Sequence, residues 1–153
     1  MIGTEILEDL IHNLGACGDR LRDHHMKHME ESKTMLHYRI TCIFAEIEII
    51  NQLGKLVELD DKEAINTLYH LFLDFCKFPK LTKSLDLKDQ EMIVKTISKV
   101  LIQKRQLSLE TVASFVKIFL ECSLKLAQED ILLVKCLLFL VKQMIQVNFL
   151  KSV

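Results

Sequence analysis

The sequence predicts an all-α fold of irregular stacked helix pairs, and three observations support this prediction. Half of the 153 residues are hydrophobic, and the large apolar residues recur at spacings of three and four, the period of a helix buried on one side. Only four glycines and one proline occur, whereas an all-β fold needs frequent turns. Breaks between the apolar stretches are short. We therefore expect a single helical domain over residues 1–153, either a bundle or a HEAT/armadillo-like helical repeat.

The N-terminal half is predicted to hold two helices separated by a polar stretch. Thr4 is a suitable N-cap for the first helix, and Gly15 is expected to end it. Residues 20–34 are polar and rich in histidine, which indicates either a marginal helix or a mobile connector. The second helix is expected from Met35 to Gly54, because its apolar residues form a wide stripe.

Four further helices are predicted from capping residues and apolar stripes, with residues 80–87 as a linker. The third runs from Asp60 or Asp61 to Pro79, the fourth from Asp89 to Lys104, the fifth starts at Ser108, and the sixth runs from Gln128 to Val147.

The sixth helix is apolar on nearly all sides, and two explanations are open. Either the other helices cover it on several sides, or part of its surface faces a partner. A membrane span is not expected, because Lys135, Lys142 and Gln143 interrupt an apolar run that is shorter than the ~18–20 residues needed.

Composition and motifs exclude several classes of function. A net charge of −1 does not suit a polycation that coats nucleic acid. The five cysteines include no C-x-x-C pair, which indicates a reducing compartment and no zinc framework. Cys42, Cys76, Cys122 and Cys136 fall within predicted helices, mostly near the apolar faces, so we expect them to be buried inert thiols. The acidic N-terminus does not resemble a signal peptide. Because the chain contains no G-x-G-x-x-G, P-loop or G-x-S-x-G motif, we expect neither an enzyme nor a cofactor.

A histidine cluster offers one alternative, a metal-dependent enzyme. His24 and His28 lie four residues apart, so one helix face could present both to a divalent metal, with His25 beside them. The acidic residue of the H-E-x-x-H motif is missing, and Lys27 would repel a cation. These features favour a solvated connector without a metal.

The one local excess of positive charge lies around the end of the fourth helix. It consists of Lys95, Lys99, Lys104 and Arg105, with no acidic residue between positions 92 and 109. Cations at a helix C-terminus are favoured by the helix dipole, so a solvated helix end is one interpretation. The other is a contact patch for RNA phosphate or for an acidic partner.

Four stretches resemble the C-terminal helical region of nucleolar complex proteins of the CBF/Mak21-like family. They are residues 5–14 (EILEDLIHNL), 38–60 (a helix that ends in a turn at Gln52–Gly54), 67–73, and 92–126, where Lys104, Arg105 and Ser108 match a basic turn followed by serine. Phe115 and Lys117 match the helix after that turn. Family members are several times longer, so the resemblance implies a reduced form.

The resemblance implies a non-enzymatic helical scaffold in biogenesis of the large ribosomal subunit, located in the nucleolus. Its implied partners are a second nucleolar complex protein and pre-60S particle proteins, with rRNA as a further contact. No membrane and no small-molecule substrate are expected. The residues by themselves equally allow a general intracellular helical adaptor that binds a protein and has no RNA role.

Charge reversal tests the basic patch. Lys104→Glu with Arg105→Glu should weaken association with RNA or with the pre-60S particle and flatten its salt dependence, because fewer phosphate counterions are released. Binding measured over a series of salt concentrations checks this. An unchanged affinity and salt slope would show that the patch is only a solvated helix end.

Overall fold

A computed structural model describes residues 2–27, 33–53, 61–102 and 107–149, and these residues form helices and no strands. The six α-helices are α1 (Ile2–Lys27), α2 (Lys33–Leu53), α3 (Lys62–Lys77), α4 (Leu87–Ile97), α5 (Leu109–Leu126) and α6 (Ile131–Asn148). A 3-10 helix at Pro79–Ser84 precedes α4, and a π-helical turn at Ser98–Ile102 follows it. The all-α prediction is confirmed.

The chain divides into two compact units, Met1–Leu68 and Tyr69–Val153, and the boundary falls inside α3. In the first unit α1 packs against α2. In the second unit α5 packs against α6, and α4 also contacts α6. The predicted packing of helices in pairs is therefore present in each unit. The expectation of a single domain stays a prediction.

The prediction that Gly15 ends the first helix is wrong, because α1 continues to Lys27. Gly15 and Gly18 are both buried. A Cβ atom on Gly15 would lie 3.1 Å from Glu63 Oε1, and one on Gly18 would lie 3.8 Å from the Cβ of Cys42 on α2. The approach is therefore tight at Gly15, whereas a Cβ on Gly18 would make only an ordinary van der Waals contact. A glycine inside a helix costs about 1 kcal/mol relative to alanine.

The continuation of α1 also bears on the polar stretch at residues 20–34. Residues 20–27 lie in α1, which corresponds to the helical alternative for that part of the stretch. Residues 28–32 lie outside the described residues, so the connector there remains a prediction.

The segment predicted as a linker over residues 80–87 contains a 3-10 helix instead. Pro79 begins it, and because the first N–H of a helix has no partner within the helix, proline costs no hydrogen bond there. The Thr82 hydroxyl donates a hydrogen bond to the Pro79 carbonyl at 2.9 Å. Leu81 and Thr82 are buried. The linker prediction is wrong because a short polar sequence does not show that Leu81 is buried in the core.

The fourth helix begins two residues earlier than predicted because Asp86 caps it. The Asp86 carboxylate accepts a hydrogen bond from the Asp89 backbone N–H at 2.8 Å, and the Asp89 carboxylate accepts one from the Asp86 N–H at 3.3 Å. This reciprocal capping box satisfies two helix donors. The α-helix ends at Ile97, and the π-helical turn continues it to Ile102, within the range that the sequence predicted.

Four phenylalanines form the core of the second unit where α3 meets α5. Phe72 on α3 and Phe119 on α5 have ring centroids 4.6 Å apart, and Phe75 and Phe115 lie 5.7 Å and 5.8 Å from these two rings respectively. All four side chains are buried. Tilted aromatic pairs of this kind contribute about 0.5–1.5 kcal/mol each beyond their buried area.

The sixth helix is buried along one face only. The buried residues are Leu133, Val134, Leu137, Leu140, Val141 and Met144. By length and composition α6 is also the one helix within the described ranges that could cross a membrane, although its sequence interruptions had suggested otherwise. A third of it is buried against the rest of the chain, and core helices pass the same test.

Truncation of the aromatic core should destabilise the second unit. Phe119→Ala should lower the free energy of unfolding by about 3–5 kcal/mol, because it removes a fully buried ring and leaves a cavity. Leu124→Ala on the same helix is the matched control, since Leu124 is 83% exposed, and it should change stability by less than about 0.5 kcal/mol. Urea denaturation followed by circular dichroism measures both. Equal losses would contradict the assignment of this core.

Candidate interaction surface

An apolar groove with a volume of about 450 Å³ lies between α4 and α6 in the second unit. Its wall on α4 consists of Leu87, Gln90, Glu91, Val94 and Lys95, and its wall on α6 consists of Leu132 and Cys136. The volume lies within the roughly 300–1,000 Å³ of pockets that enclose small ligands. The groove is therefore large enough to accept protruding apolar side chains.

Asp130 links the two walls of the groove. Its Oδ2 accepts a hydrogen bond from Gln90 Nε2 of α4 at 2.8 Å, and its Oδ1 accepts one from the Leu133 backbone N–H at 3.1 Å, which caps α6. A cap of this type stabilises a helix by about 1 kcal/mol. Since one carboxylate accepts hydrogen bonds from both helices, the groove is preformed in the chain without a partner.

The side of α6 that the described residues leave exposed continues the groove, and we call it the outer face of α6. It comprises Ile131, Leu132, Lys135, Leu138, Phe139 and Lys142. The four apolar side chains are 46–58% exposed. Apolar side chains this large, clustered on one surface beside a groove, are typical of a protein interaction site.

The four residues of the predicted basic patch are only partly described. Lys95 is exposed and lies on the α4 wall of the groove. Lys99 is half-buried in the π-helical turn and takes part in an interaction there. Lys104 and Arg105 lie outside the described residues, so the patch as a whole stays a prediction.

The groove is not apparent from the sequence. The sequence shows an excess of apolar residues on α6, but it does not show that Leu132 and Cys136 share a surface with α4. The available signal was the spacing of positions 132, 136 and 139, which lie on one side of a helix, together with exposed Leu87 at the start of α4.

A model of the CBF/Mak21 family matches residues 40–152, nearly three quarters of the chain. The chain belongs to the CBF/Mak21 family. The match includes α3 to α6 and both walls of the groove, and it confirms the resemblance found in the sequence. The family is associated with ribosome biogenesis, and its members are non-catalytic nuclear or nucleolar factors. No curated protein and no solved structure is significantly similar to the chain.

The histidine cluster of this CBF/Mak21 protein falls largely outside the described residues. The backbone of His24 and His25 lies in α1, whereas His28 is not described. Among the described residues no group of three histidine, cysteine or acidic side chains is arranged to hold a metal. Because the side chains of His24, His25 and His28 lie outside the described residues, the alternative of a metal-dependent enzyme stays untested.

Four of the five cysteines of this CBF/Mak21 protein form two close pairs, one in each unit. The Sγ atoms of Cys76 and Cys122 are 2.7 Å apart, and the Cys122 thiol donates to the Phe72 carbonyl at 3.2 Å. Burial is the main cause of the raised pKa of both thiols. In the first unit burial and the neighbouring Cys17 raise the pKa of Cys42 to about 11. Thiols with raised pKa values are poor nucleophiles. Cys76 and Cys122 are buried as predicted, whereas Cys42 and Cys136 are only half-buried, and Cys136 lines the groove.

Glu46 is a buried carboxyl in the first unit. It is 1% exposed, and its two oxygens have no hydrogen-bond partner among the described residues. Burial, and then repulsion from Glu63 and Asp19, raises its pKa from the ordinary 4.5 to about 7. Each oxygen also lies within 4 Å of the position that a Cβ on Gly15 would occupy. A protonated Glu46 therefore suits this site better than a charged one.

Replacement of Glu46 should change how stability depends on pH. Above about pH 4.5 the unfolded chain loses a proton that folded Glu46 keeps. The contribution of Glu46 to the free energy of unfolding is therefore fully present below that pH. It is lost as the pH rises through the folded pKa of about 7. Glu46→Gln removes the charge. The change in Tm that this substitution causes should be roughly 2–6 °C more positive at about pH 8 than at about pH 5.

Thermal melts over this pH range measure the difference. Glu8→Gln, on the exposed side of α1, is the matched control and should show no such pH dependence. A Tm difference for Glu46→Gln that is the same at both pH values would contradict the buried carboxyl.

Proposed function

We propose that this chain is a non-enzymatic helical scaffold that acts in maturation of the pre-60S particle in the nucleolus. The observation that carries the proposal is the family match over residues 40–152, because the family is associated with ribosome biogenesis. The order of the matching stretches resembles that of nucleolar complex protein 3 in particular. That finer relationship is part of the proposal.

The surface of the second unit suits a scaffold. A scaffold acts by holding partners in place, so it needs a preformed surface that gains apolar contacts on binding. The groove between α4 and α6 and the outer face of α6 supply such a surface. A second nucleolar complex protein is the proposed partner there, together with other pre-60S proteins.

The basic residues supply a second mode of contact. Lys95 is exposed at the groove, and Lys104 and Arg105 follow α4 in the sequence. Lysine and arginine bind RNA mainly through phosphate, which gives affinity without base recognition. We propose that this segment contacts rRNA while the apolar surface binds protein.

Affinity purification of the tagged chain, with mass spectrometry and RNA sequencing of the same eluate, tests the proposal. Pre-60S proteins, a second nucleolar complex protein and precursor rRNA should be enriched together. Ribonuclease treatment should remove the rRNA and leave the direct protein partner, because the apolar surface does not depend on RNA. An untagged chain is the control. A cytoplasmic or membrane-trafficking complex without rRNA would instead indicate a general helical adaptor.

A further inference from the structure

We propose that the outer face of α6 and the adjoining groove bind an acidic amphipathic helix of a partner protein. The inference rests on the proposed function in that it requires a protein partner, and it adds the chemistry of that partner. Three features carry it: the shape of the groove, the exposed apolar row, and the charges beside that row.

The apolar row has the spacing of a helix-binding surface. Leu132 and Phe139 lie seven positions apart on the groove side of α6, and Cys136 lies between them. A helix that packs along α6 would place residues at intervals of three and four against this row. The groove beside Leu132 would then receive its largest apolar side chains.

The charges on α6 are all of one sign. Lys135 and Lys142 are exposed, and α6 contains no acidic residue. Within the described part of the chain neither lysine has an ion-pair partner. A partner with acidic residues beside its apolar row would pair with both lysines, and charge complementarity of this kind sets the orientation of the partner.

Two observations favour a protein helix over a lipid surface or RNA. The concave groove accepts protruding side chains, whereas a membrane offers a smooth surface. Three of the four exposed apolar residues of the outer face are aliphatic, so stacking of several bases is not supported.

Site-specific photo-crosslinking in cells tests the inference. A photoreactive amino acid replaces Phe139 on the outer face of α6 or, as a control, Leu124 on α5, which is exposed elsewhere. Mass spectrometry then identifies the crosslinked segment. Crosslinks from position 139, and not from position 124, should map to a helix with an apolar face flanked by acidic residues. Crosslinks to RNA, to lipid, to a second copy of this chain or to a segment without acidic residues would overturn the inference, as would no crosslink.

A charge exchange completes the test. A synthetic peptide of the crosslinked segment should bind the full chain in fluorescence anisotropy, and Lys135→Glu with Lys142→Glu should weaken binding about tenfold or more. A peptide whose acidic residues are replaced by lysine should restore binding to this variant. Lys117→Glu with Lys125→Glu, exposed on α5, is the matched control and should bind as the unaltered chain does. Equal binding by both variants would overturn the inference.

The two proposals fail separately. If pre-60S proteins and rRNA still co-purify with the chain but position 139 does not crosslink to an acidic helix, only this inference fails. If position 139 crosslinks to such a helix in a protein unrelated to ribosome assembly, the inference stands and the proposed function fails.

Discussion

The contact between Phe72 and Phe119 is the interaction on which the second unit depends. Their rings meet at 4.6 Å with both side chains fully buried, so α3 and α5 are joined at the centre of the core. Complete burial of one such ring contributes about 1.5–3 kcal/mol. α6 packs against α5 and forms one wall of the groove, so the position of this wall depends on the contact between Phe72 and Phe119.

Polar contacts set the geometry that the aromatic core leaves open. Apolar burial is not directional, so hydrogen bonds add to the definition of how α4 and α6 meet. Asp130 contributes here because it accepts hydrogen bonds from both helices. Lys83 pairs with Glu129 at 3.0 Å and joins the 3-10 helix to the turn before α6. Two hydrogen bonds of Asp130 and one ion pair of the preceding turn therefore help to hold α6 in place beside the groove.

The first unit combines close packing with an electrostatic cost. Gly15 has no side chain, so other residues approach α1 closely there. The carboxyl groups of Glu46 and Glu63 occupy that space, and their mutual repulsion contributes to the raised pKa of Glu46. His12 Nδ1 lies 3.7 Å from Glu63 Oε2 and can offset part of the repulsion when it is protonated. This arrangement gives a stability that varies with pH.

The sequence by itself determined the fold class, the order of the helices and the family. These follow from helical periodicity, from caps such as Ser108, which accepts a hydrogen bond from the Thr111 N–H, and from ordered sequence stretches, all of which are properties of neighbouring residues. Tertiary structure decided that Gly15 continues a helix, that Leu81 is buried in a 3-10 helix, and that Leu132 faces a groove. A residue's sequence neighbours do not show which helix packs against it, and that packing decides whether a glycine ends a helix and whether an apolar side chain is core or surface.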